Sequence, residues 1–168
     1  MPDSAADMTT PNDWARADLT RIYRAALAAV EPLNLTDQAL RGTLPGAEAV
    51  PEALATARRI FVLGVGKAAA RMMAAAEQHL AGRIAGAVAI VPAGDIQTDA
   101  AIVPLRIARF CPSAHPLPDR SSVEAANAGV AMLEGLSSDD LLIVLLSGGA
   151  SALMAAPAAP ISDRKSVV

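Results

Sequence analysis

The chain has 168 residues, of which 53% are hydrophobic and 18% charged, and its net charge is −3. That length sets an expectation of one domain, or of one domain and part of another, and that apolar content excludes general disorder. The acidic balance argues against a nucleic-acid partner. The single cysteine, Cys111, excludes an internal disulfide, and with only two histidines beside it no structural zinc site is expected.

Residues 1–12 are small and polar and read as a disordered N-terminus, without the basic and apolar regions of a signal peptide. Asn12 or Asp13 can cap a first helix, whose apolar face is Leu19, Ile22, Tyr23, Ala26, Leu27 and Val30, with Pro32 near its end. Thr36 is a candidate cap for a short second helix, and residues 42–51 read as loop.

The character of the chain then changes. Residues 60–63, Ile-Phe-Val-Leu, form a short continuous apolar run, the mark of a strand buried on both faces. They lead into Gly64-Val65-Gly66-Lys67 and a helix presenting Ala69, Met72, Met73, Ala76 and Leu80, with Gly82 as its stop. Residues 87–91 and 105–110 read as two further strands. Asp119 or Ser121 caps a helix buried through Val123, Ala126, Val130 and Leu133, with Gly135 near its end. A fourth strand at 141–146 follows Asp139-Asp140 and runs into Ser147-Gly148-Gly149-Ala150-Ser151. Strands alternating with amphipathic helices predict an α/β fold, an open, mostly parallel sheet with helices on both faces. That longest apolar run, 141–146, is too short to span a bilayer, so a soluble, cytoplasmic protein without a membrane partner is expected.

Two strand-to-glycine turns stand out, because ligands of such sheets bind beyond the carboxyl ends of the strands. The first, from Gly64 through Gly66 to Ala69, has the form G-x-G-x-x-A, a weak dinucleotide signal. The acidic residue expected after the next strand is missing; Pro92 and Gly94 stand there, with Asp95 the nearest carboxylate. Lys67 is expected in the first turn of the following helix, where a cation is unfavourable unless an anion offsets it. The second turn, Ser147 to Ser151, offers two hydroxyls and several backbone donors that can cradle a phosphate or a small acid. Between them, His115-Pro116-Leu117-Pro118-Asp119 is a stiff loop whose histidine can donate to an anion or move a proton. Cys111 reads as buried and His79 as a surface residue.

In this order, the stretches 62–69, 115–119 and 145–153 resemble the glycerate kinase family that makes 2-phosphoglycerate. Its members carry an N-terminal Rossmann-like domain and a C-terminal MOFRL domain. The resemblance covers residues 14–162 and implies ATP-dependent phosphorylation of D-glycerate at the 2-hydroxyl, with Mg²⁺. It implies a catalytic role for Lys67 and substrate or phosphate binding by Gly64, Gly66, His115, Ser147, Gly148, Gly149, Ala150 and Ser151. The partners implied are D-glycerate and a nucleotide, and a homodimer of a full-length parent is compatible with it. Ala150 stands where members often have a third glycine. Pro112-Ser113-Ala114 replaces an acidic-Ala-Gly stretch, and Asp95 stands where histidine is common.

Members of that family are more than twice as long and place the active site between two domains. The resemblance therefore implies that residues 13–162 are a partial N-terminal domain, that the MOFRL domain is absent and that the chain alone is inactive. A half-sheet would also leave an exposed edge and uncovered apolar faces. Residues 163–168 can be encoded by sequencing-adapter DNA and are expected to be a non-native tail. Two other readings are a sugar-phosphate isomerase or binding module of the SIS type and a hydroxypyruvate reductase, a name some family members bear.

Overall fold

The computed structural model describes residues 11–94 and 107–157. The expected tail at 163–168, Asp95 and most of the expected disordered N-terminus lie outside them. The chain divides into two units, Met1–Glu31 and Pro32–Val168.

In the first unit, helix α1 spans Pro11–Ala29. It begins on proline, which suits the first helical position because its missing N–H has no intrahelical partner to lose. Asn12 and Asp13 therefore lie inside the first turn rather than capping it, and Asp13 favours the positive end of the helix dipole. The expected apolar stripe is present and exposed: Leu19, Ile22, Tyr23, Leu27 and Val30 are each more than half accessible.

The second unit opens with α2 (Pro32–Leu40) and α3 (Val50–Thr56). Thr36 is not a cap; it lies inside α2 and its hydroxyl donates to the Pro32 carbonyl at 2.7 Å. Helix α3 replaces part of the expected loop and starts beside Pro51.

Strands β1 (Ile60–Val65), β2 (Ile84–Pro92), β3 (Ala108–Ser113) and β4 (Leu141–Leu146) form one sheet in the order β3-β2-β1-β4. Every pairing is parallel. Helices α4 (Ala69–Leu80), α5 (Arg120–Leu133) and α6 (Ala150–Leu153) follow β1, β3 and β4. The alternating side chains of the strands build two cores. Ile60, Val62, Ala87, Ala89, Val91 and Leu145 pack with Met73 and Leu80 of α4 and with Leu40 and Leu54 of α2 and α3. On the other face, Leu63, Val65, Val88, Ile90 and Cys111 pack with Ala125 of α5 and Leu153 of α6. The expected α/β sheet with helices on both faces is thus what forms. No described helix is long and apolar enough to cross a membrane.

Three expectations shift. Strand β3 runs to Ser113 rather than ending at Phe110, and Pro112 is tolerated because β3 is an edge strand. Helix α5 buries Ser122, Ala125, Ala126 and Gly129, while Val130 is 47% exposed. Small residues face the sheet here because the approach is close: a Cβ on Gly129 would lie 3.5 Å from the Leu63 Cδ1. His79 is half-buried, with its Nδ1 3.2 Å from Asp37 of α2, rather than free on the surface.

The start of β4 is fixed by a carboxylate. The buried side chain of Asp140 accepts from Arg59 at 2.6 and 3.0 Å, from Arg58 at 3.2 Å and from the Ser137 N–H at 2.9 Å. The Arg59 guanidinium, which also lies over the Phe61 ring at 5.3 Å, is the main reason the Asp140 carboxyl is held well below the usual carboxylate range. Burial opposes that shift, and the Ser137 hydrogen bonds and Arg58 add to it. Strands β1 and β4 are thereby clamped at the end opposite the glycine turns.

Candidate functional site

The chain proceeds from β1 through α4 to the neighbouring β2, whereas β4 lies on the far side of β1. The direction of strand succession therefore reverses between β1 and β4, which in an open α/β sheet marks the crevice where ligands bind. Both glycine turns leave the carboxyl ends of those two strands.

The turns are joined backbone to backbone. Ser147 N–H donates to the Val65 carbonyl at 3.0 Å and Lys67 N–H to the Gly148 carbonyl at 3.0 Å. The Ser147 hydroxyl accepts from Ala68 N–H at 3.0 Å. This contact needs Gly66. Its φ is +124°, and a Cβ there would lie 2.2 Å from Ser147 Oγ and 2.6 Å from the Ser147 carbonyl oxygen. Lys67 is exposed and precedes Ala68, the N-cap of α4, so it lies just ahead of the helix rather than in its first turn.

The backbone donors of the first turn are already engaged. Gly66 N–H donates to the Ile90 carbonyl and Ala69 N–H to the Gly66 carbonyl, each at 3.1 Å, in addition to the Lys67 and Ala68 bonds above. Gly64 lies inside β1, paired with Ala89 and Leu145. A Cβ on it would come 3.2 Å from Met73 Cε. The resemblance implies substrate or phosphate binding by Gly64 and Gly66; in this structure both allow close packing, and the Gly66 N–H donates to Ile90.

The second turn is different. Gly149 has φ +91° and is the N-cap of α6. Among the described residues, the N–H groups of Gly148, Gly149, Ala150 and Ser151 have no protein acceptor, as expected for the opening of a helix. Gly148 and Ser151 are exposed, and a Cβ on Gly148 would meet nothing within 4 Å.

The third segment meets the other two at Gly149. A Cβ there would lie 3.0 Å from Cδ2 and Nε2 of His115 and 3.5 Å from Cε of Lys67. Lys67, His115 and the second glycine turn, far apart in sequence, therefore line one place. His115 is half-buried, and its peptide bond to Pro116 is cis. The loop is held at both ends by the start of α5. Ala114 N–H donates to the Ser121 hydroxyl at 3.0 Å, and Asp119 caps α5 in a reciprocal box with Ser122. Hydrogen bonds from the Ser121 hydroxyl and backbone keep the Asp119 carboxyl below its usual range. Asp119 is thus the cap that the sequence suggests.

Behind His115 stand two buried hydroxyls, Ser113 and Ser122, at 1% and 0% exposure. In the sequence Ser113 stands out only as part of the departure at Pro112-Ser113-Ala114, and Ser122 not at all. The signal for Ser122 is its spacing from Asp119, which fits a capping box. Burial raises the Cys111 thiol above its ordinary value, in keeping with a core position. A separate open cleft of about 520 Å³ lies between α2, α3 and β4; its lining is almost wholly apolar and includes neither Lys67 nor His115.

A family model described as a domain of unknown function, DUF4147, matches residues 18–167. A putative hydroxypyruvate reductase of Agrobacterium vitis is 30% identical over 179 residues, covering 99% of this chain and 34% of that protein. Glycerate kinase of Homo sapiens is 37% identical over 113 residues, covering 62% of this chain and 22% of that protein. The crystal structure of glycerate kinase from Thermotoga maritima superposes with a TM-score of 0.61 at 25% identity, covering 82% of this chain and 31% of that one. The chain thus spans between 22% and 34% of the length of these curated relatives.

Proposed function

Because this chain belongs to the DUF4147 family and corresponds to the N-terminal region of the glycerate kinases, we propose that the protein carrying it transfers a phosphoryl group from ATP to the 2-hydroxyl of D-glycerate. The observation that carries this reading is the convergence of Lys67 and His115 on Gly149, beside N–H groups that have no protein acceptor among the described residues. Such a site suits a ligand with two anionic ends. The Lys67 ammonium offsets charge on the phosphoryl group, a stabilisation that grows as that group moves. The N–H groups of Gly148 to Ser151 orient an anionic oxygen, from the glycerate carboxylate or from phosphate. In this reading His115 orients the acceptor and takes up the proton of its hydroxyl.

Mg²⁺, when bound, neutralises phosphate charge, and in this reading it arrives on the nucleotide. Among the described residues no group of three or more carboxylate, histidine or cysteine side chains is arranged to hold a metal. Magnesium commonly relies on one or two carboxylates and the substrate's phosphates.

A reductase reading fits less well. A dinucleotide-binding turn presents the N–H groups after its first strand to the pyrophosphate. Here those of Gly66, Lys67, Ala68 and Ala69 all donate to protein acceptors.

A coupled ATP-consumption assay with D-glycerate, run on a protein that carries this chain at the length of its relatives, tests the proposal. Lys67→Ala is expected to lose roughly 10²–10³ in kcat. Unchanged turnover would remove Lys67 from the chemistry. Residues 1–168 alone are expected to bind D-glycerate or phosphate without turnover, since the relatives supply more than twice this length. Robust turnover by residues 1–168 would overturn that part.

A further inference from the structure

Ser113 ends β3, two residues before His115, and is almost completely buried. Its hydroxyl donates to the carbonyl of Leu153, the last residue of α6, at 2.7 Å. A hydroxyl has one proton. The Ser122 hydroxyl, 3.1 Å from Ser113 Oγ, must therefore be the donor between the two. Ser122 in turn accepts from the Asp119 N–H at 3.2 Å. The result is a directed chain of hydrogen bonds, from Asp119 N–H through Ser122 and Ser113 to the Leu153 carbonyl. It joins both ends of the His115 loop to the helix that opens on Gly149.

We propose that Ser113 is a positioning residue: its bond to Leu153 sets the distance between the His115 ring and the second glycine turn. The alternative, that it merely satisfies buried polar groups, makes a different prediction. Ser122 is equally buried and its hydroxyl belongs to the same chain, but its removal leaves the Ser113–Leu153 bond in place. It is thus a matched comparison. Each alanine variant loses two side-chain hydrogen bonds and is expected to lose stability, while only Ser113→Ala removes the direct bond to α6.

Solution NMR on residues 1–168 distinguishes these roles. The wild type should give an NOE between the His115 ring protons and the Gly149 Hα protons, because the ring lies 3.0 Å from the Cβ position of Gly149. Ser113→Ala should lose that NOE and bind inorganic phosphate and D-glycerate at least roughly tenfold more weakly, the lower end of what removing an outer partner does to a site it orients. Ser122→Ala should keep both properties in its folded fraction. Ser113→Cys, close in shape but a weak donor, is the second variant and should show an intermediate loss. Unchanged NOE and affinity in the Ser113 variants would overturn the proposal, as would equal losses in Ser113→Ala and Ser122→Ala. The affinity arm rests on the anion-site reading above. A wild-type chain that shows the NOE but binds neither probe would sink that reading, and the NOE series would still decide the position of Ser113.

Discussion

Replacing Gly66 by alanine tests how tightly the two glycine turns depend on each other. The residue has φ +124°, a region that side-chain-bearing residues rarely occupy. Its new Cβ would lie 2.2 Å from Ser147 Oγ, 2.6 Å from the Ser147 carbonyl oxygen and 2.8 Å from its carbonyl carbon. The hydroxyl can rotate away, but the carbonyl group cannot without moving the turn. Backbone strain of this kind costs about 1–3 kcal/mol, and overpacking against a rigid neighbour costs about 1–3 kcal/mol more. A loss of about 3 kcal/mol, with a urea m-value of about 2 kcal/mol/M, moves the unfolding midpoint down by about 1.5 M. Gly82→Ala isolates the strain, because Gly82 has φ +83° with nothing within 4 Å of its Cβ position. It should shift the midpoint by less than half as much. Urea titrations followed by circular dichroism measure all three proteins. Equal midpoints for Gly66→Ala and Gly82→Ala would refute the claim that Ser147 packs on Gly66.

Other substitutions read other parts of the structure. Met73, fully buried between α4 and the sheet, should cost roughly 2–5 kcal/mol when cut to alanine; a urea midpoint near wild type would contradict its place in the core. Asp140 has its pKa depressed in the folded state, so the stability it contributes is complete above the unfolded carboxylate value of about 3.9 and is lost as pH falls below it. Asp140→Asn should therefore lower the melting temperature at pH 7, and the gap to wild type should shrink below about pH 4; a gap constant from pH 7 to pH 3 would remove Asp140 from the acid response. Lys67→Ala should leave the melting temperature within about 1 °C while weakening phosphate binding, because its side chain is exposed; a large loss of stability would give Lys67 a structural role instead.

The strands were legible wherever continuous apolar runs met glycine. Residues 60–63 and 141–146 read directly as β1 and β4, because a parallel strand needs no polar face. What apolar runs do not reveal is position in the sheet. β4 is an edge strand, with Val144 51% and Leu146 65% exposed, although its six residues are as apolar as those of β1. The end of β3 was hidden by Pro112, a residue that normally punctuates a strand and is accommodated here only at an edge. On the buried face of α5 the sequence picks out Ala126 but not Ala125 or Gly129, because such small residues carry little hydrophobic signal. Their small size is what brings the helix close to the sheet. The Asp140 clamp was invisible for another reason: its arginines are some 80 residues away in sequence.

The same distinction explains what could be read of the site. Lys67, His115 and the turn from Ser147 to Ser151 each carry a local signal, a glycine, a cation or a stiff loop, and the sequence singles them out separately. Their convergence on Gly149 follows from strand order, which places β4 beside β1 and brings the loop after β3 in from across β2. No local pattern reports that. Strand order also separates the two turns that the sequence treats as equivalent. By packing on Ser147, the first turn brings its own N–H groups to protein acceptors and sets Lys67 at the edge of the crevice. The second keeps its helix-opening donors without protein partners among the described residues. A ligand entering there would meet a cation from one strand, an imidazole from another and backbone donors from a third, all fixed relative to one parallel sheet. In the proposed reading, that arrangement suits an anionic substrate whose charge shifts during reaction, because the groups that meet the charge need not reorganise to do so.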